Sequence, residues 1–122
     1  MLVIDDDALV ADALSLTLGD EHDVTTVTSA KEALDLLTGR VHLDAILCDL
    51  MMPNMTGMDF YTKVLHVMPR DIGRIVFMTG AALNSHSRAF LKGVGNRWIE
   101  KPIDLRELWA LVRGVRRTSA QG

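Results

Sequence analysis

The sequence contains a single cysteine, Cys48, so no disulfide bond can form within the chain. It has no apolar run close to the ~20 residues that a transmembrane helix needs, and no basic leader precedes its first hydrophobic residues. Basic residues are not in excess either, because the formal net charge is −3. That balance argues against nucleic acid as the main partner, since binding to a phosphate backbone requires a basic face. We therefore expect a cytoplasmic domain that neither spans a membrane nor binds nucleic acid.

The composition is that of a globular protein, with 48% hydrophobic and 24% charged residues in 122 residues. This length is enough for one domain with its own core. We place the domain at residues 1–117 and expect a disordered tail at 118–122. Within the domain, short β-branched or apolar runs alternate with stretches of helical period. The predicted strands are 1–5, 22–28, 43–50, 74–79 and 97–100, and the predicted helices are 8–18, 30–38, 57–68, 82–92 and 105–117.

Repeated alternation of strand and helix favours a parallel sheet with right-handed crossovers and helices on both faces, a three-layer α/β fold. The first and third strands support this prediction, because residues 2–4 and 45–48 are apolar without interruption. Strands covered on both faces require such runs. In open sheets of this kind, ligands bind at the carboxyl ends of the strands.

Polar residues end four of the five predicted strands. The residues that follow or close these strands are Asp5, Asp6, Asp7, Asp49, Thr79 and Lys101. Several carboxylates in one pocket repel one another, so they must share a proton or a cation. Mg²⁺ suits such a site, since it takes carboxylate oxygens and leaves positions for water and phosphate oxygens. A carboxylate nucleophile, a cation site, a hydroxyl and a lysine together suit phosphoryl transfer.

Each of these residues also has an ordinary interpretation when it is considered alone. Asp7 suits the N-cap of the first helix, Asp49 a turn, Thr79 a strand and Lys101 a solvated charge. Their arrival in order at the ends of successive strands is what favours a common site.

The motifs around these residues resemble those of the receiver domain of two-component response regulators. The similarity extends over essentially the whole chain and is carried by four segments: Val-Ile-Asp-Asp-Asp at 3–7, Cys-Asp-Leu-Met-Met-Pro-Asn-Met-Thr-Gly at 48–57, Met-Thr-Gly at 78–80 and Glu-Lys-Pro at 100–102. The resemblance implies a flavodoxin-like (βα)5 fold with strand order 2-1-3-4-5.

The resemblance also implies roles for the acidic residues. Asp49 is the expected phosphoacceptor. The Mg²⁺ ion is expected on Asp5, Asp6, Asp49 and the backbone carbonyl of Met51, with Asp6 as the more direct ligand and Asp5 acting partly through water.

Further implied roles concern the last two strands. Thr79 is expected to bond a phosphoryl oxygen and Lys101 to pair with the phosphoryl group. The resemblance implies a cis peptide bond between Lys101 and Pro102, an isomer that costs only about 0.5–1 kcal/mol before proline. Trp98 stands where receivers have a switch aromatic that is usually Tyr, Phe or His. Two interpretations stay open for Trp98: a switch coupled to Thr79, or packing beside the last helix.

The partners implied are a histidine kinase or a histidine phosphotransfer domain as phosphoryl donor. A homodimer through the fourth helix, fifth strand and fifth helix is also implied. We expect no DNA-binding output, since none is visible in the sequence, and the start and the segment 97–102 resemble receivers at the ends of hybrid sensor histidine kinases. In such a protein the parent would be the kinase, whereas the domain would promote only its own phosphorylation and dephosphorylation.

Two alternatives differ from this phosphoacceptor in class. One is a phosphohydrolase of the haloacid-dehalogenase type, because Asp5-Asp6-Asp7 satisfies its Asp-x-Asp motif with Asp5 as the nucleophile. The other is a degenerate receiver that acts only as a binding scaffold, against which the intact acidic, threonine and lysine residues argue.

Overall fold

The structure, a computed structural model, describes residues 1–19, 23–39, 43–80 and 83–121, with only the backbone described at 116–121. Its strands are β1 (Leu2–Ile4), β2 (Thr25–Val27), β3 (Ile46–Asp49), β4 (Ile75–Thr79) and β5 (Trp98–Glu100). Its helices are α1 (Ala8–Leu18), α2 (Ala30–Thr38), α3 (Gly57–Val67), α4 (Ser85–Val94) and α5 (Leu105–Gln121), with a 3₁₀ helix at Pro69–Arg74.

The five strands form one sheet in the order β2-β1-β3-β4-β5, and every neighbouring pair is parallel. The predicted flavodoxin-like order is therefore confirmed. β1, β3 and β4 are buried along their whole length, whereas the edge strands β2 and β5 each expose residues. This difference explains why uninterrupted apolar runs were found in the inner strands.

Side chains of alternate strand residues point to opposite faces of the sheet and pack into two separate hydrophobic cores. Leu2 and Ile4 of β1 pack with the cluster beneath α2 and α3, whereas Val3 packs with the cluster beneath α1 and α5. Phe60 near the start of α3 and Leu108 near the start of α5 are completely buried in these two clusters. The sheet is thus the middle of three layers, as the strand alternation predicted.

The helix starts follow local sequence signals. Ser29 accepts a hydrogen bond from the Glu32 N–H and caps α2, and the Asp104 carboxylate accepts from the N–H groups of Arg106 and Glu107 at the start of α5. Such caps satisfy amide groups that have no partner within the helix.

Several boundaries differ from the sequence predictions. β2 is shorter than the predicted 22–28, of which residue 22 lies outside the described part of the chain. α4 begins at Ser85 after the N-cap Asn84, whereas a start at 82 was predicted; residues 81 and 82 are not described. The backbone of α5 is helical to Gln121, where a tail was expected from residue 118. The domain boundary at 117 stays a prediction.

Candidate functional site

The carboxyl edge of the sheet brings together residues that are far apart in the chain. Asp5 follows β1 directly, Asp49 ends β3, and Thr79 ends β4. Lys101 follows β5, and its N–H donates to the Thr79 carbonyl over 2.7 Å. Because all the strands are parallel, their ends meet at one edge, and the sequence-predicted residues of this group lie in one cleft.

A lysine and two carboxylates form the centre of this cleft. Lys101 Nζ lies 2.8 Å from Asp5 Oδ2 and 3.4 Å from Asp49 Oδ2. The other oxygen of Asp5 accepts from the Asp7 N–H at 2.9 Å, and Asp49 Oδ1 accepts from the Met51 N–H at 3.2 Å. Asp5 is completely buried and Asp49 is 5% exposed, so Lys101 is a counterion shared by two desolvated acids.

The two acids still carry more negative charge than one lysine offsets. Burial and the charge of Asp5 raise the pKa of Asp49 to about 7, although Lys101 and the Met51 N–H act in the opposite direction. Burial disfavours the charged form of Lys101, but its hydrogen bond to Asp5 and the charges of Asp49 and Asp5 outweigh burial and raise its pKa. The site therefore favours an additional positive charge near Asp49.

The donor set suits a hard divalent cation. Oxygen atoms of Asp5, Asp6 and Asp49 lie within 4.8 Å of one another, and no other group of this kind occurs in the described part of the chain. Asp6 is exposed, so it can reach an ion that retains water ligands. Carboxylate oxygens and water are the ligands that Mg²⁺ prefers, so these residues fit the predicted ion.

Thr79 offers a hydrogen-bond donor at the same edge. The residue is 1% exposed, and within the described residues its Oγ1 has no hydrogen-bond partner. Leaving a buried hydroxyl unpaired costs about 1–3 kcal/mol, so such groups commonly serve a ligand. Its place beside Lys101 at the carboxyl edge would let it donate to an oxygen of a ligand bound there.

Residues 1–113 match the model of the response regulator receiver domain family. This chain belongs to that family. Its members are phosphoacceptor signalling domains that generally depend on Mg²⁺ and interact with histidine kinases or phosphotransfer proteins.

Individual proteins agree with this membership. The chain is 46% identical over 76 residues to the hydrogenase transcriptional regulatory protein HoxA of Cupriavidus necator, which covers 62% of this chain and 15% of HoxA. It is 32% identical over 115 residues to the DNA-binding response regulator MtrA of Mycolicibacterium paratuberculosis, covering 93% of this chain and 49% of MtrA. A response regulator receiver protein from Pseudomonas putida superposes with a TM-score of 0.83 at 25% identity, over 93% of each chain. The receiver thus spans half or less of these two curated relatives.

Family membership removes support from the phosphohydrolase alternative. The family model matches residues 1–113, which is nearly the whole chain. In addition, Asp5 is completely buried and its two oxygens accept hydrogen bonds of 2.9 and 2.8 Å, whereas Asp49 is 5% exposed and its two bonds are longer, 3.2 and 3.4 Å. Asp49 is therefore the more available nucleophile of the two. Asp7 serves as the N-cap of α1 through the Leu9 N–H, so its ordinary interpretation is confirmed.

Trp98 lies on the outer side of the receiver, beside α4. Its side chain is 43% exposed and lines a groove of about 280 Å³ whose other walls include Leu83, Leu91 and Lys92. The indole is therefore partly exposed on the α4 side of the receiver. Whether it switches with Thr79 stays a prediction. The Lys101–Pro102 peptide bond is cis, as the resemblance implied.

No role was predicted from the sequence for Gly57, whose backbone packs closely against the loop after Asp49. The Gly57 N–H donates to the Leu50 carbonyl, and a Cβ atom at Gly57 would lie 2.7 Å from the Asp49 carbonyl oxygen and 2.8 Å from Leu50 Cα. Thr56 and Asp59 form a capping box around it. The Thr-x-x-Asp spacing is a sequence signal for the helix start that was predicted at residue 57 and is confirmed.

No helix in the described part of the chain is both long and apolar enough to cross a bilayer.

Proposed function

We propose that Asp49 accepts a phosphoryl group from a phosphohistidine of a histidine kinase or phosphotransfer domain. The observation that carries this assignment is the position of the Asp49 carboxylate, 3.4 Å from Lys101 Nζ and within one cluster with Asp5 and Asp6. Asp49 is the one of these acids that ends the central strand β3, and its Oδ1 bonds only weakly to a backbone N–H at 3.2 Å.

In the reaction, an oxygen of the Asp49 carboxylate forms a bond to phosphorus while the bond between phosphorus and the histidine nitrogen breaks. The electron pair of the broken bond stays on the imidazole, and an acyl phosphate remains on Asp49. Lys101 lowers the pKa of Asp49 and so favours its anionic form beforehand, and it pairs with phosphoryl oxygens afterwards. Thr79 Oγ1 donates to another phosphoryl oxygen. Positioning and charge neutralisation supply most of the catalysis in such transfers.

Asp5, Asp6 and Asp49, with the Met51 backbone carbonyl, would hold the Mg²⁺ ion. When bound, the ion neutralises charge on the phosphoryl oxygens. Burial and the charge of Asp5 raise the pKa of Asp49 to about 7, and a cation bound beside these acids would favour the ionised form, which supports this assignment.

The cognate kinase, the cytoplasmic location and a hybrid-kinase parent stay predictions. A homodimer through α4, β5 and α5 is supported by the groove beside Trp98, which leaves apolar surface on that face.

The assignment is tested with acetyl phosphate, a small phosphoryl donor that needs no partner protein. The chain is incubated with acetyl phosphate and Mg²⁺, and the acid-labile phosphoryl group is located by mass spectrometry. We expect one phosphoryl group on Asp49, and none on the Asp49→Asn variant. Asp12→Asn, which changes an exposed acid on α1, is the matched control and should be labelled like the wild type.

The same experiment separates the remaining alternatives. Label on Asp5 with rapid turnover would support the phosphohydrolase. A folded wild-type chain that takes no label in the presence of Mg²⁺ would support a degenerate receiver that acts as a scaffold.

A further inference from the structure

A contact outside the charged cluster joins the site to α4. Ser87 is 1% exposed, and its hydroxyl donates to the sulfur of Met51 over 3.8 Å. Among the residues of α4, only Ser87 and Leu91 are buried. Phe90 of the same helix packs edge to face against Tyr61 and Phe77, so it holds α4 against the core, whereas Ser87 makes the contact that reaches towards the site.

Met51 connects this contact to the acceptor. Its backbone N–H donates to Asp49 Oδ1 at 3.2 Å, whereas its side chain is 52% exposed. A side chain so exposed is not fixed by core packing, so the Ser87 hydroxyl is the partner that orients it. A continuous path results, from the Asp49 carboxylate through Met51 to α4. Trp98, which lies outside the charged cluster, takes no part in this path.

We propose that Ser87 is a positioning residue that acts through Met51 to hold residues 50–56, the acceptor loop, in the geometry of the unphosphorylated state. The proposal rests on the assignment of Asp49 as acceptor. In the chain without a phosphoryl group, the Met51 N–H bonds Asp49 Oδ1, and a phosphoryl group added to this carboxylate must be accommodated beside Met51 in the acceptor loop. A contact that stabilises one state lowers the affinity of any ligand that prefers the other. The Ser87–Met51 contact therefore opposes phosphorylation and ties α4 to the resting site.

Beryllofluoride with Mg²⁺, an analogue of the acyl phosphate, provides the test on the full chain. Ser87→Ala and Met51→Leu each remove the hydrogen bond while nearly keeping side-chain volume. We expect each variant to bind beryllofluoride about two- to fivefold more tightly in calorimetric titration, the effect of one weak hydrogen bond. The double variant should gain no more than either single variant, because both changes remove the same contact. Ser85→Ala is the matched control: Ser85 is an exposed serine on the same helix, and its replacement should leave the affinity unchanged.

Amide hydrogen exchange gives a second readout that does not depend on the acceptor. Without ligand, α4 should exchange faster in Ser87→Ala than in Ser85→Ala. A merely structural loss would weaken beryllofluoride binding, so tighter binding marks the positioning role. Affinity equal to the control, weaker binding, or additive gains in the double variant would overturn the proposal. If wild type and Asp49→Asn bound beryllofluoride equally, Asp49 would be rejected as the acceptor. Faster amide exchange of α4 in Ser87→Ala would in that case still show that the Ser87–Met51 contact stabilises α4.

Discussion

Replacing Asp49 by Asn should stabilise the metal-free domain at neutral and alkaline pH. The pKa of Asp49 in the folded chain is about 7, above the ordinary value of 3.8, because the residue is buried next to Asp5. A raised pKa means that the fold favours the protonated acid. Stability associated with this group is therefore complete below pH 4 and is lost as the pH rises through about 7. Asn mimics the protonated acid at every pH, and its amide oxygen can keep the hydrogen bond from Met51.

The size of the effect follows from the shift. Each pKa unit corresponds to about 1.4 kcal/mol, so the full shift would amount to about 4 kcal/mol. Lys101 is partly exposed and both side chains can relax towards solvent. We therefore expect the Asn variant to exceed the wild type by about 1–2 kcal/mol at pH 8, with the difference shrinking towards pH 4.

Urea unfolding followed by circular dichroism, at pH 4 to 8.5 with EDTA present, measures this difference. Added Mg²⁺ should stabilise the wild type at pH 8 more than the Asn variant, because the ion offsets the repulsion between the acids. Asp12→Asn, which removes an exposed acid, should show no such pH-dependent gain. If the difference in unfolding free energy between Asp49→Asn and the wild type did not change with pH, or if Asp49→Asn were less stable at pH 8, the raised pKa of Asp49 in the folded chain would be refuted.

Three further substitutions test other parts of the site. Gly57→Ala should cost more than about 2 kcal/mol in urea unfolding, because its Cβ would strike strand backbone, whereas Gly73→Ala, with open space around it, should not. Lys101→Met should lower stability at pH 8 by about 1–3 kcal/mol, since it leaves the buried Asp5 without a counterion. Thr79→Val should leave unfolding unchanged or slightly improved, because Thr79 Oγ1 has no partner, yet should weaken beryllofluoride binding in titration calorimetry. An unfolding loss as large in Gly73→Ala as in Gly57→Ala, full stability in Lys101→Met, or unaltered binding in Thr79→Val would contradict these expectations.

The sequence was most informative where local chemistry and tertiary structure agree. The apolar runs of β1 and β3 are buried on both faces, so their hydrophobicity predicted them directly. The caps Ser29 and Asp104 bond amides within their own helix turns, so they depend only on residues close in the sequence. The start of α4 was displaced because its polar residues 84–87 include both the N-cap Asn84 and a buried serine. Pattern alone does not distinguish these two uses of a polar residue.

What the sequence determined by itself was the set of groups at the carboxyl edge: the acids, Thr79 and Lys101 follow parallel strands, and strand ends must meet at one edge. Only the tertiary structure decided which ion-pair and hydrogen-bond partners each of those groups has. The order of strands places Asp5 beside Asp49, and the side chain of Lys101, which follows the edge strand β5, reaches both acids as a shared counterion. Burial and the charge of Asp5 raise the pKa of Asp49 in spite of this counterion. The outward position of Trp98 and the contact between Met51 and Ser87 depend on how α4 packs, and their partners lie across loops in the chain. No local pattern encodes such contacts, because they arise only when distant elements share a surface.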